Sequence, residues 1–197
     1  MLDGRPYGGR TGNAGHIGHI VLEPDGHPCT CGGRGCVETI AAGPMMVRWA
    51  REQGWRAPQR DLLAGSSHQY RELLTGSRQQ QDQQPEPPAA SSNARGVDAA
   101  VLAEAARAGD PLACAAFERS GYAVGMAVAS VAAVCDLDLV VIGGGVAKAG
   151  PLLFDPIRHA LRVHAGLSYL NGLRVVPAAL GAQAGLVGAA ALVLPDR

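Results

Sequence analysis

Leu137-Asp-Leu-Val-Val-Ile-Gly-Gly-Gly145 (LDLVVIGGG) decides the fold class. An apolar, β-branched run of this length reads as a buried strand, and the three glycines that follow read as a tight turn. Downstream, Pro151 to His164 has helical spacing. Leu173 to Leu180 (LRVVPAAL) is a second strand, and Ala184 to Val193 a small-residue helix. Strand, helix, strand, helix predicts an α/β protein.

Upstream, Val97 to Arg107 reads as a helix, and Asp110-Pro111 opens another that runs to about Val134. Asp is a strong N-cap and Pro is tolerated at the first helical position. The glycines and alanines of ACAAFERSGYAVGMAVASVAAV imply close packing against another backbone. Residues 77–93 (SRQQQDQQPEPPAASSN) have almost no core-forming side chains and are expected to be a disordered loop or linker. Val37 to about Gln53 is expected to be helical. The segment HIVLEPDG (His19 to Gly26) is expected to be a strand ending in a Pro-Asp-Gly turn.

Composition narrows the function. Of 197 residues, 47% are apolar, enough for a sizeable core. The 17 basic and 17 acidic residues balance, so there is no basic excess to neutralise phosphates and no nucleic-acid partner is expected. Arg158, Arg162 and His164 read as the wet face of a helix. No apolar stretch reaches the roughly 18–20 residues of a membrane span, and MLDGRPYGGR lacks the apolar core of a secretory signal. A cytoplasmic location with no membrane partner is expected.

Five cysteines are present, three of them within eight positions. In a reducing compartment this crowding favours metal over disulfides. The spacing is His19-x9-Cys29-x-Cys31-x4-Cys36, and one His with three Cys is a standard closed zinc set. Gly32, Gly33 and Gly35 let the backbone wrap an ion. His27 competes with His19 for the fourth position, and metal-free reduced thiols are the plainer alternative. Redox chemistry is disfavoured because the motif is C-x-C, not C-x-x-C. Four protein ligands leave no open position for water, so the metal is expected to be structural.

Gly143, Gly144 and Gly145 could let a nucleotide approach the backbone, although any strand-to-helix turn needs glycine. Neither G-x-x-x-x-G-K-[ST] nor G-x-G-x-x-G occurs at this turn.

Four segments in order, AGHIGH (Ala14 to His19), CTCGGRGCVE (Cys29 to Glu38), LVVIGGGVAKAG (Leu139 to Gly150) and LGAQAGLVGAAAL (Leu180 to Leu192), closely resemble the ROK family of bacterial sugar kinases, glucokinase-like enzymes and sugar-responsive repressors. The resemblance implies an actin-like (ribonuclease-H-like) sugar-kinase ATPase fold, here mainly its C-terminal lobe with an inserted zinc-binding segment at about residues 15–38. It implies structural Zn2+ on His19, Cys29, Cys31 and Cys36, and a hexose contacted by His16, His19 and Glu38. Nucleotide is implied near Gly143, Gly144 and Gly145, with ATP and Mg2+ serving phosphoryl transfer to a hexose hydroxyl. A homo-oligomer, a dimer, is also expected.

Two departures bear on activity. The resemblance places glutamate where this chain has His16, and an imidazole lacks a carboxylate's paired acceptors. The family's D-x-G-G-T phosphate motif and aspartate base would precede the zinc histidine by many tens of residues, whereas 18 residues precede His19 here. Asp3 reads as a turn residue beside Gly4. The expectation is therefore that residues 1–197 lack the N-terminal lobe, carry no catalytic residue and are a non-catalytic part of a sugar kinase. The alternatives are the sugar-sensing module of a repressor and a truncated, dimer-forming remnant.

Overall fold

The structure, a computed structural model, describes residues 7–58 and 99–193. The Gln/Pro-rich stretch at 77–93 lies outside them. In chain order the elements are α1 (Val37–Ala41), α2 (Gly43–Glu52), α3 (Ala99–Arg107), α4 (Pro111–Cys135), β1 (Leu139–Ile142), α5 (Pro151–His164), β2 (Arg174–Pro177) and α6 (Ala184–Val193). Short 3-10 turns occur at Ile17–His19, Val146–Ala149, Ser168–Leu170 and Gly181–Gln183.

β1 and β2 pair in parallel, with Leu139 opposite Arg174 and Ile142 opposite Pro177. A parallel pair needs a crossover, and α5 supplies it. The α/β reading of the carboxyl-terminal half therefore holds. The strand at 139–142 departs from expectation in its burial: Val140 and Ile142 are half-buried, while Leu139 and Val141 are 39% and 56% exposed. Among the described residues, one face of this short sheet is packed and the other is open, so a continuous apolar run is not evidence of burial on both sides.

α4 is the axis of the molecule. Asp110 caps it, with Oδ1 accepting from Leu112 N at 3.0 Å and Ala113 N at 2.9 Å. Pro111 sits in its first turn, where its missing N–H costs nothing. α4 and α5 pack against each other where Gly121 and Gly125 lie on α4. A Cβ on Gly125 would stand 2.6 Å from Ala160 Cβ and 2.7 Å from Ile157 O. Small residues thus let two helix backbones approach. The core joins Met46, Val47 and Ala50 of α2, Leu102 of α3, Phe117 and Val128 of α4, Phe154 and Ile157 of α5, and Val175 of β2.

Two local expectations are corrected. The helix from Val37 is two helices, broken at Ala42, whose φ of −65° and ψ of 139° are extended. Pro44 explains the break: inside a continuous helix its ring would clash with the carbonyl four residues back, so α2 restarts with Pro in its first turn. HIVLEPDG does not form a strand. It contributes one antiparallel bridge, Val21 with Cys36, and then turns. With one bridging partner residue, its apolar pattern has no sheet to join.

Candidate metal and sugar site

Residues 19–36 form a knot held mainly by the backbone. Leu22 N and Glu23 N both donate to Gly35 O at 2.9 and 3.2 Å, Gly35 N to His27 O at 2.9 Å, and Cys29 N to Gly33 O at 2.8 Å. Val37 N donates to Ile20 O at 2.9 Å, which seats α1 against the knot. Gly35 is required here. Its φ is +63°, and a Cβ would overlap the Glu23 carbonyl. Glu23 also takes a two-oxygen ion pair from Arg119 of α4, at 3.0 and 3.3 Å, while the Arg119 guanidinium lies 5.8 Å from the Trp49 ring centroid. The knot is thereby fastened to the helical body. Nothing in the sequence pattern singled out Arg119 or Glu23, because their pairing spans 96 positions.

The knot brings together His19, Cys29, Cys31 and Cys36, with one donor atom from each lying within 4.8 Å of every other. Cys31 Sγ and Cys36 Sγ are 3.7 Å apart, and Cys29 Sγ is 3.6 Å from His19 Nδ1. Tetrahedral zinc with its usual bond lengths requires about 3.8 Å between two sulfurs and about 3.6 Å between sulfur and nitrogen. The donor types fit zinc, and these two spacings do as well. A disulfide has S–S of about 2.05 Å, so the 3.7 Å pair is two free thiols. His27, the alternative ligand, lies outside the four-donor group. Its main chain is engaged in the knot through the bond to Gly35.

The thiols differ without metal. Cys29 is lowered from 9.0 to about 7, chiefly by a hydrogen bond from the Cys31 backbone and also by Cys31, His19 and Cys36 side chains, against the opposing effect of burial. Cys36 is pushed up to about 12, first by burial and then by the neighbouring thiols of Cys31 and Cys29. Cys29 is therefore the more acidic of the two thiols and Cys36 the less acidic.

His19 connects this cluster to the second group of expected residues. Its Nδ1 faces Cys29, and its Nε2 lies 3.7 Å from Glu38 Oε2. Gly18 passes close to that carboxylate; a Cβ there would lie 3.5 Å from Oε2. His16 stacks on His19, ring centroids 6.1 Å apart and planes within 12°. His16, His19 and Glu38 thus form one surface beside the metal donors, with His16 and Glu38 exposed.

The glycine turn lies elsewhere. Gly144 has φ of +89°, which glycine accommodates. Gly145 lines a cavity of about 460 Å³ together with Val146, Lys148, Arg107, Glu104 and Phe117. Gly143 and Gly144 do not line it. Arg107 donates to Lys148 O at 3.2 Å, joining α3 to the turn after β1. Nothing in the sequence pattern singled out Arg107 or Glu104 as lining a cavity, since charged residues on a helix face are ordinarily solvated.

Comparison with known proteins gives a consistent answer. The ROK family profile matches residues 1–195. The glucokinase of Thermotoga maritima is 32% identical over 185 residues, which cover 94% of this chain and 50% of the relative. Among solved structures, a ROK family glucokinase from Streptomyces griseus in complex with glucose and AMPPNP is similar with a TM-score of 0.68 and 34% identity, covering 94% of this chain and 53% of that one. A ROK family transcriptional regulator, a homolog of the E. coli MLC protein, is similar with a TM-score of 0.64 and 26% identity, covering 90% of this chain and 37% of that one. The chain spans about half the length of the curated relatives it matches. Among its described residues no helix is long and apolar enough to cross a membrane. By its sequence and by its fold, the chain belongs to the ROK family.

Proposed function

We propose that this chain is the carboxyl-terminal lobe of a ROK sugar kinase, and that it holds structural zinc and part of a hexose site and a nucleotide site. The carrying observation is His19, which offers Nδ1 to the thiol cluster and Nε2 to Glu38. Zinc on Nδ1 leaves the hydrogen on Nε2, where it can donate to a hexose hydroxyl that in turn donates to Glu38. The metal then orients the sugar-facing ring and, with four protein ligands, does no chemistry itself. The likeness to a glucokinase solved with glucose and AMPPNP supports hexose and ATP as the ligands.

Nucleotide is assigned to the turn at Gly143, Gly144 and Gly145. The adjoining cavity supports this reading, because Val146 offers an apolar surface to a base while Arg107 and Lys148 suit phosphate. Mg2+ would accompany ATP. The 197 residues contain no D-x-G-G-T run and no assigned base, and phosphoryl transfer depends on positioning and charge stabilisation. The chain alone is therefore assigned no turnover. The likeness to a ROK regulator favours one second reading, a sugar-sensing module.

The test is equilibrium binding of a hexose panel and of an ATP analogue to the zinc-loaded chain, alongside an ATP-dependent phosphorylation assay. Hexose binding without turnover supports the proposal. Turnover by the chain alone contradicts its non-catalytic part, and no hexose binding contradicts the sugar site. Hexose binding with no affinity for nucleotide would favour the sensing module.

A further inference from the structure

A cavity of about 720 Å³ lies between α5 and β2, apart from the metal donors and from the glycine turn. Arg158 and Arg162, four residues apart on α5, line it together with Arg174 of β2. Leu161, Leu170 and Leu173 give it an apolar lining, and no carboxylate lines it. Arg158 is held in place: Nη1 donates to Asp155 Oδ1 at 2.9 Å, and the guanidinium lies 5.8 Å from the Phe154 ring centroid. Arg162 and Arg174 make no ion pair among the described residues. His164, which the sequence groups with Arg158 and Arg162, belongs elsewhere, its Nε2 2.8 Å from the Tyr122 hydroxyl. The negative end of the α5 dipole favours one cation in the last turn, but it does not account for Arg174 on a separate element. Like charges at i and i+4 repel, so the gathering of three guanidiniums in a chain of zero formal charge has an electrostatic cost that an anion would remove.

We propose that this cavity is a second ligand site, which takes a phosphate monoester with a small organic body. Asp155 offsets Arg158, so two positive charges remain, and they match the dianion of a monoester near neutral pH. Guanidinium forks present paired N–H donors to phosphate oxygens, which an ammonium cannot do. The three leucines cover the carbon part of the ligand. The volume falls within the range of small-molecule pockets, about 300–1,000 Å³. A free metabolite and a lipid headgroup can both carry this chemistry.

The test is calorimetric titration of the zinc-loaded full chain with phenyl phosphate and with inorganic phosphate at constant ionic strength. It compares the wild type with Arg162→Gln, Arg174→Gln and Lys148→Ala, with Tm and zinc content measured for each. Phenyl phosphate should bind more tightly than inorganic phosphate, and its affinity should fall about 10-fold in each arginine variant. Lys148→Ala removes one charge from the other cavity and should leave that affinity unchanged. No binding of phenyl phosphate, no loss in the arginine variants, or an equal loss in Lys148→Ala would each overturn the proposal. Equal affinity for the two phosphates would overturn the organic body. If Arg174→Gln fails to fold, Arg174→Lys keeps the charge without the fork. It should still bind several-fold more weakly, and full wild-type affinity would overturn the proposal. Flotation with vesicles containing phosphatidic acid separates the sources. Co-flotation that is lost in Arg174→Gln places the monoester on a lipid, and phenyl phosphate binding without co-flotation places it on a free metabolite; either supports the shared chemistry.

Discussion

His19 Nε2 lies 3.7 Å from Glu38 Oε2 while Nδ1 of the same ring lies 3.6 Å from Cys29 Sγ. One imidazole thereby separates a group of soft metal donors from a carboxylate that faces solvent. The arrangement depends on two backbone supports. Val37 N on Ile20 O sets α1, and so Glu38, against the chain that carries His19. Gly35 lets the return strand of the knot lie against Glu23.

Removing the Glu38 charge should affect ligand binding and not the metal. Glu38→Gln keeps the shape but loses the carboxylate, and a hydrogen bond to a charged group contributes about 1.5–3 kcal/mol. Hexose affinity should fall about 10- to 100-fold by titration, with zinc content unchanged. Loss of zinc in this variant would show that Glu38 serves the metal instead.

The thiols give a pH dependence with a definite sign. Zinc must displace protons from the cysteines, and Cys36, pushed up to about 12, holds its proton throughout the neutral range. Cys29, at about 7, adds a second competing proton as pH falls through that value. Zinc affinity should therefore rise with pH from acid to alkaline conditions, more steeply below about 7. Competition titration against a chelator of known affinity measures it. In the metal-free chain, alkylation should reach Cys29 before the buried Cys36, and zinc should protect both.

The contact between α4 and α5 should not tolerate a side chain at Gly125. In Gly125→Val the added carbons meet Ile157 O and Ala160 Cβ at under 3 Å. Overpacking of this kind costs about 1–3 kcal/mol, and backbone on the far side leaves little room to relax. Thermal denaturation should show a clearly lower Tm, with an unchanged value contradicting the close helix approach.

Asp110→Ala removes the cap of the longest helix. Two backbone N–H groups lose their acceptor, Leu112 N and Ala113 N. The expected loss is about 0.5–2 kcal/mol in denaturant-induced unfolding. Asp110→Asn should recover most of it, because the amide oxygen still accepts.

How much of this was legible beforehand follows from the range of each interaction. Helix signals are local, so the Asp110-Pro111 start and the Pro151–His164 span matched the structure. The cluster of His19 with three cysteines was legible because Cys29, Cys31 and Cys36 lie within eight residues and glycines surround them. The residues alone left His27 as a competitor and the resemblance pointed to His19; in the fold His19 is the one grouped with the thiols, because the bridge between Val21 and Cys36 returns Cys36 toward the chain that carries His19. The strand expected at His19–Gly26 failed for a related reason: alternation and apolarity describe a residue's preference, and a ladder also needs a partner. The open face at Leu139 and Val141 and the strut from Arg119 to Glu23 depend on what packs where, which no short window contains.

The most direct measurement is the metal content of the folded chain, purified in reducing buffer and analysed by elemental analysis, beside a Cys36→Ser variant. The account predicts about one zinc per wild-type chain, because His19, Cys29, Cys31 and Cys36 bring four N/S donors within 4.8 Å of one another, and much less in the variant. Folded, reduced wild-type protein without zinc would contradict it.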